Sequence, residues 1–385
     1  MSAASLLSQL PSTKTLKVAI FRTSSIGDVV LATSCIVLLS RLGCSVQIFW
    51  IGRPPSLQLI TTAYPSVIGI ALEKRQGAGR LLEVAAQLKE CDLFVDLQCN
   101  IRSRMLGALI KNMYGVKVKQ ARKMQFYRSR LLAEARLRGR RSFSPPAIRV
   151  PEFRQIDLMV RPVVDGLCSI LPNEITAGAQ DGLAFPRLTM PESDPQRPWQ
   201  KELRLGTWLA VAPGASHVTK RAPIGKWCEI ITAINKGLVT SNSGPVGILY
   251  LGDDADREFA LSIQNVVGWE GQVLNLAGRL SLWETAQALN ECVTLISNDS
   301  SLAHIAEAVG IPVTVLFGPT VEAYGFAPWR PNSMAVSALT GCRPCSKHGK
   351  IPCRFGDQKC FEDIAALDIS VRAIELLVHP NQRDA

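Results

Sequence analysis

The stretch LKVAIFRTSSIGDVVLAT, Leu16 to Thr33, decides the fold. Leu16 to Arg22 reads as a strand. It runs into Thr23, Ser24 and Ser25, then Gly27, and apolar residues at helical spacing continue from Gly27 to Leu42. A strand that passes through a small-residue turn into a helix aims backbone amides at an anion. The dinucleotide fingerprint G-x-G-x-x-G is absent, so this is an anion-binding turn of another kind. Asp28 stands where the helix opens. Two roles are open to it there: a cap that complements the helix dipole, worth about 1 kcal/mol, and a general base.

Outward from this unit the alternation continues. Strands are expected at Val46 to Ile51 and Leu93 to Asp96, and helices near Arg80 to Lys89 and Arg104 to Ile110. Strands interleaved with helices of this length pair in parallel through right-handed crossovers. From Ile175 to Arg204 the pattern dissolves, with Pro186, Pro191, Pro195 and Pro198 close together. This marks an interdomain segment. The alternation then restarts, with strands expected at Trp208 to Ala212, Gly247 to Leu251, Val293 to Ser297 and Val313 to Phe317. Helices fit Lys226 to Asn235, Asp254 to Val266, Leu282 to Glu291, Leu302 to Val309 and, at the close, Ile364 to Val378. A chain of 385 residues exceeds what one core serves. The expected division is a first Rossmann-like domain over 1–190, a linker over 191–206, a second Rossmann-like domain over 207–362, and a terminal helix and tail over 363–385. Ligands in such sheets bind beyond the carboxyl ends of the strands.

Apolar residues make up 47% and charged residues 19%, an ordinary globular balance. No apolar run reaches the roughly 20 residues that cross a bilayer, and Met1 to Lys17 reads as a leader without a secretory apolar core. Lysine and arginine outnumber acids 43 to 32. Between Lys117 and Arg141 ten basic residues meet one acid, Glu134, so +9 of the net +11 lies there. Such a run sets up a local positive field for an anionic partner, with a solvated helix face as the plainer alternative. Nucleic acid is disfavoured, because aromatic platforms beyond Phe126 and Tyr127 are lacking.

The second half carries three more strand exits. VAPGASHVTKR (Val211 to Arg221) brings Lys220 and Arg221, which suit a leaving diphosphate or simply a soluble surface. LISNDSSLAHIAEAVGIP (Leu295 to Pro312) delivers Asn298, Asp299, Ser300 and Ser301 to a helix start, with His304 one turn in. Capping and an interior histidine are the alternatives to a site. LFGPT (Leu316 to Thr320) is the third exit. Eleven cysteines without a secretion signal fit a reducing compartment. Four of them, Cys342, Cys345, Cys353 and Cys360, could hold a structural zinc, stay reduced or pair, with His348 as a substitute ligand. Neither cleft-facing loop is expected to carry a D-x-D pair, and no catalytic metal is implied.

Taken in order, RTSSIGDVVLAT (Arg22 to Thr33), DLQCNIRS (Asp96 to Ser103), APGASHVTKR (Ala212 to Arg221), NLAGRLSLWETA (Asn275 to Ala286), SNDSSLAHIAEAVGIPVTVLFGPT (Ser297 to Thr320) and the C-R-P-C turn resemble the lipopolysaccharide heptosyltransferases, glycosyltransferase family nine. The resemblance implies a GT-B fold, two Rossmann-like domains facing a central cleft. It implies inverting, metal-independent transfer of a heptose or related sugar from an ADP-sugar to a lipopolysaccharide core acceptor, with no cofactor required for catalysis. The alternatives are a transferase of another sugar onto another glycan or protein, and a non-catalytic GT-B-like binding protein. Asp28 matches the family's proposed base, Lys220 its donor-phosphate lysine, and Asp299 with His304 its donor-side pair. Donor contacts are accordingly expected from Ser216, Thr219, Lys220, Arg221, Asp299, Ser300, Ser301, His304, Gly318 and Pro319. Acceptor contacts are expected from Ser24, Ser25, Gln98, Asn100, Arg102, Arg128 and Arg130, and the catalytic roles from Asp28 and Lys220. Ser301 and Ala222 depart from the family, which usually has glycine and often tryptophan there. The expected location is cytoplasmic, peripheral to the inner membrane, beside an anionic glycolipid acceptor.

Overall fold

In the computed structural model the described residues are 15–139, 154–172, 176, 184–191, 197–241 and 244–380. Most of the leader, Pro195 and the last two cations of the basic run, Arg140 and Arg141, lie outside them. The chain divides into two compact units. One joins Met1–Lys123 to Ile156–Pro186, and the other joins Met124–Gln155 to Arg187–Ala385.

The first unit begins β1 (Leu16–Phe21), α1 (Ile26–Leu31), α2 (Thr33–Leu39), β2 (Val46–Gly52), α3 (Pro54–Ala63) and β3 (Ile68–Ala71). It continues with α4 (Ala78–Gln87), β4 (Leu93–Asp96), α5 (Ile101–Tyr114) and β5 (Lys117–Gln120). All strands pair in parallel in the order β3-β2-β1-β4-β5. Phe21, Phe94, Ile51, Leu106 and Ile110 are fully or almost fully buried in the core between this sheet and helices α4 and α5. The order reverses between β1 and β4, so the carboxyl ends of these two strands flank the crevice where open α/β sheets take ligands.

The second unit contains α6 (Gln125–Arg138), whereas α7 (Gln155–Leu167) belongs, from Ile156 on, to the first unit. The second unit resumes with α8 (Pro198–Arg204), β6 (Thr207–Ala212), α9 (Ile224–Thr240), β7 (Val246–Tyr250), α10 (Asp254–Val266) and β8 (Val273–Asn275). Next come α11 (Leu282–Asn290), β9 (Thr294–Asn298), α12 (Ser301–Val309), β10 (Val313–Phe317), β11 (Met334–Ser337), the short α13 (Lys359–Glu362) and α14 (Ala366–Val378). This parallel sheet runs β11-β10-β9-β6-β7-β8, with its reversal between β9 and β6.

The division departs from the expected boundaries in two places. Helix α6 belongs to the second unit rather than to a first domain over 1–190: Leu131 packs with Val321 and Tyr324, with Tyr127 and Phe326 against them. Helix α14 is no appendage. Ile369, Ala373, Leu376 and Leu377 are buried in the same core as Trp227, Ile230 and Ile234 of α9. Apolar residues at helical spacing need a partner face, and for both helices that face lies in the second unit. No helix among the described residues is long and apolar enough to cross a membrane.

Candidate functional site

In the first unit, the turn after β1 is held by its neighbour β4. Gln98 Oε1 accepts from Thr23 N at 3.0 Å and Ser24 N at 3.2 Å, and Gln98 Nε2 reaches Ser24 Oγ at 3.4 Å. Arg22 is 9% exposed and donates from Nη1 to Leu97 O. Its Nη2 lies 2.6 Å from Asp28 Oδ2. Ser25 is the N-cap of α1 and Asp28 its third residue. Asp28 Oδ2 accepts from Ser25 N at 3.2 Å and Ser25 Oγ at 2.8 Å, a capping box. All three contacts fall on Oδ2, and Oδ1 is the oxygen they leave. Burial would raise the Asp28 carboxyl, but the Arg22 charge and the Ser25 bonds outweigh it and hold the group below the usual carboxylate range. Capping and availability of a carboxylate oxygen therefore coexist at one residue.

The remaining first-unit candidates are tied into loops. Asn100 caps α5 by accepting from Ser103 N at 2.8 Å. Arg102 donates to the carbonyls of Glu73 and, at 2.8 Å, Gln76. Asp96, fully buried and outside the expected set, organises this corner: it accepts from Gln98 N, Cys99 N and Ser103 Oγ.

The second unit repeats the arrangement at its own reversal point. Asn298, at the end of β9, donates to Pro213 O at 2.6 Å and accepts from Ala222 N at 3.2 Å, which shapes the turn after β6. Lys220 Nζ lies 2.6 Å from Asp299 Oδ2, and Thr320 Oγ1 donates to the same oxygen at 2.7 Å. Burial pushes the Asp299 carboxyl up. The Lys220 charge and bond, the Thr320 bond and the nearby His304 outweigh it, so its pKa is lowered. Ser300, not Asp299, takes the N-cap position of α12, with its Oγ 3.0 Å from Ser297 Oγ; Ser301 is the first helical residue. His304 is 7% exposed and packs beside Phe326, with ring centroids 6.0 Å apart. Arg221 is engaged elsewhere: Nη2 lies 2.9 Å from Asp256 Oδ1 and Nε donates to Ala215 O. That pair braces the loop containing Ser216.

Arg343, which sequence reasoning missed, lies buried under the Gly318-Pro319-Thr320 turn. It donates to the carbonyls of Gly318, Thr320 and Ala338 at 2.6, 2.9 and 3.0 Å. A Cβ at Gly318 would run into the Phe361 ring, so packing requires that glycine. Thr219 Oγ1 donates to Gly349 O, and Gly349, at φ +77°, leaves room for the Lys220 stem. The C-terminal loop thus seats Lys220. Only a CRPC signal marks this loop, and nothing in it announces a buried guanidinium.

Two expectations are corrected. Arg128 and Arg130 do not project from the first domain. Arg128 turns into the second unit, donating to Tyr324 O and Gln155 Oε1 at 3.0 Å each, and its guanidinium lies 5.0 Å from the Phe326 ring centroid. Arg130 pairs with Glu134 one turn on, at 2.8 Å. The four C-terminal cysteines line one cavity with Thr219, Pro319 and Arg343. All are free thiols, which removes the disulfide reading. Among the described residues no group of three or more His, Cys, Asp or Glu is disposed to hold a metal ion, so the tetrahedral zinc set is not formed. The sulfurs are engaged separately. Cys342 Sγ lies 3.3 Å from Thr340 Oγ1, and Cys345 Sγ faces Pro319 O. Burial raises the Cys353 thiol, yet backbone bonds from Phe355, Gln358, Gly356 and Asp357 outweigh it, so its pKa is lowered.

Residues 186–354 match the model of glycosyltransferase family 9 (heptosyltransferase). A 51-residue segment is 43% identical to lipooligosaccharide heptosyltransferase 2 of Haemophilus influenzae and spans 13% of this chain and 15% of that relative. Among solved structures, a family 9 glycosyl transferase from Veillonella parvula superposes with a TM-score of 0.65 at 15% identity, covering 94% of this chain and 97% of that one. The ADP-heptose LPS heptosyltransferase II of E. coli superposes with a TM-score of 0.64 at 18% identity, covering 95% and 100%. The expected resemblance holds, and the fold is of the GT-B class, with two parallel-sheet Rossmann-like units.

Proposed function

We propose that this chain, whose residues 186–354 carry a family 9 glycosyltransferase (heptosyltransferase) domain, transfers a heptose or related sugar from an ADP-activated donor to a lipopolysaccharide core acceptor. The observation that carries this reading is the Lys220–Asp299–Thr320 cluster at the reversal point of the second sheet, against the Gly318 turn. A cation fixed by a carboxylate at a strand end suits a nucleotide diphosphate. The second unit is the donor side and the first the acceptor side.

The reaction is a single displacement with inversion. The acceptor oxygen forms a bond to the anomeric carbon as the bond from that carbon to the diphosphate breaks. The hydroxyl proton passes to Asp28 Oδ1, and the electron pair leaves with the diphosphate, whose charge Lys220 offsets. Arg22 and Ser25 hold the carboxylate by its other oxygen. A pKa below the usual range keeps it ionised at neutral pH and also limits its strength as a base, so exclusion of water around the acceptor must supply part of the driving force. No metal ion enters this scheme.

Ser301 favours a second reading within the same class, a different donor sugar, because a hydroxymethyl group opens α12 where the family usually has glycine. The acceptor places the enzyme at the cytoplasmic face of the inner membrane, in peripheral contact with it, and no nucleic acid is involved. A panel of nucleotide sugars offered to the purified protein, with nucleotide release as readout, tests the proposal. Acceptor-dependent release of ADP from ADP-heptose is expected. Release from a donor carrying another sugar, and none from ADP-heptose, would move the activity to the second reading, and release from none would leave a binding protein.

A further inference from the structure

We propose that the edge of the first unit formed by α5 and β5 is a docking surface for an anionic lipid bilayer. The inference rests on the reading that the acceptor is a membrane-embedded glycolipid, and it names the surface that meets that membrane. Ile101, Met105, Leu109 and Met113 follow one another at i, i+4 spacing and so form one ridge along α5. Ile101 is 80% exposed, Met105 49% and Met113 53%. The core side of the helix is supplied by Ser103, Leu106, Gly107 and Ile110, with Leu109 packed partly against it, so Ile101, Met105 and Met113 are the ridge residues that packing does not use.

Charge points to the same partner. From Asn100 to Lys123 there are seven cations and no acid. Arg104 and Lys111 are exposed on α5, and Lys117, Arg122 and Lys123 on and after the edge strand β5. Cations on an edge strand discourage pairing with another sheet, which accounts for Lys117 and Lys119 but not for an apolar ridge on the neighbouring helix. A single-stranded nucleic acid would want exposed aromatic rings, and the ridge offers only aliphatic and thioether side chains. Apolar residues flanked by cations match a bilayer with anionic headgroups. Helix α6, which also exposes Phe126 and Leu137, belongs to the second unit. Arg128 is turned inward and Arg130 is paired with Glu134. Continuity with the site adds a reason: α5 opens at Asn100, two residues past Gln98, which shapes the turn bearing Asp28. The membrane would thus lie beside the acceptor side.

The test is flotation of the full chain with vesicles of equimolar phosphatidylglycerol and phosphatidylcholine, against vesicles of phosphatidylcholine alone. Binding to the anionic vesicles is expected, weakened by salt. It should fall by about tenfold or more in Arg104→Glu with Lys111→Glu, and similarly in Ile101→Ser with Met105→Ser, while nucleotide affinity and the melting temperature stay at native values. Arg136→Glu on α6 should bind as the native chain does. If the native chain ignores both vesicle types, the membrane reading of the partner fails. If the native chain binds and the α5 pairs bind equally well, the surface is wrong although a membrane partner stands. Preference of the native chain for a single-stranded oligonucleotide over the vesicles would overturn both. The charge pair keeps the test decisive if the apolar pair lowers stability.

Discussion

Lys220 Nζ sits 2.6 Å from Asp299 Oδ2, and both side chains are almost wholly enclosed, at 13% and 14% exposure. The lysine is therefore held in place by a carboxylate that Thr320 also holds, rather than ranging over the surface. Lys220→Ala is expected to lower kcat by about 10²–10³ if the ammonium stabilises the departing diphosphate. It also leaves Asp299 with less compensation for its burial, so a lowered melting temperature should accompany the kinetic loss. Kinetics and melting on one preparation separate the two effects, and unchanged kcat in a folded variant would return Lys220 to a structural role.

For Asp28, the ion pair with Arg22 changes what a substitution should do. Asparagine preserves the cap, which by itself predicts near-normal stability. It also leaves a buried guanidinium without its counter-charge, at a cost of about 1–3 kcal/mol. Asp28→Asn should thus be folded but measurably destabilised, with turnover lowered by about 10²–10⁴ and nucleotide affinity unchanged. Native turnover in the folded fraction would mark Asp28 as a cap and move the search for the base elsewhere.

Arg128→Ala should release α6 from the second unit. The guanidinium donates to Gln155 Oε1 and Tyr324 O and faces the Tyr324 and Phe326 rings, so the expected loss is about 1–3 kcal/mol. Arg130→Ala, at an exposed helical pair, should change stability by no more than about 0.5 kcal/mol. Denaturant unfolding of the two variants side by side checks this, and equal effects would refute the anchoring role.

Glu307 supplies a pH dependence of opposite sign to the site carboxylates. It is buried on α12 and accepts from Trp329 N and Arg330 N at 2.7 and 2.9 Å, and burial lifts it to about 7. The folded chain holds this proton more tightly than the unfolded chain, so the stabilisation is complete below pH ~4.3 and is lost as pH rises through about 7. Asp28 and Asp299 have lowered values, so their contributions are present above the unfolded value near pH ~3.9 and vanish only in stronger acid. Glu307→Gln keeps an acceptor for the two amides and removes the titration. Its melting temperature should vary less than that of the native chain between pH ~5 and ~8. Parallel curves for the two proteins would contradict the assignment.

The interior strands are legible as strands in the residues alone. Leu93 to Asp96 and Val313 to Phe317 coincide with β4 and β10, and β1, β2, β6, β7 and β9 lie within one residue of their expected bounds. Such strands are covered on both faces and read as continuous apolar runs. The four that leave no such signal, β3, β5, β8 and β11, are the edges of the two sheets. Each is only three or four residues long and partly solvated, so its apolar pattern is faint.

By itself, then, the sequence determined the two α/β units, the strand ends that bear Asp28, Lys220 and Asp299, and the family those ordered motifs resemble, because local patterning and short spacings carry that information. Only the tertiary structure decided the partners. It set Arg22 on Asp28 across six residues, Lys220 on Asp299 across seventy-nine and Arg343 beneath the Gly318 turn. It also divided one basic run between two units, giving Arg128 to an aromatic pocket and leaving Lys117, Arg122 and Lys123 in solvent. A cation's charge is written in its residue type, but whether that charge is free or spent depends on long-range packing, which no local pattern encodes.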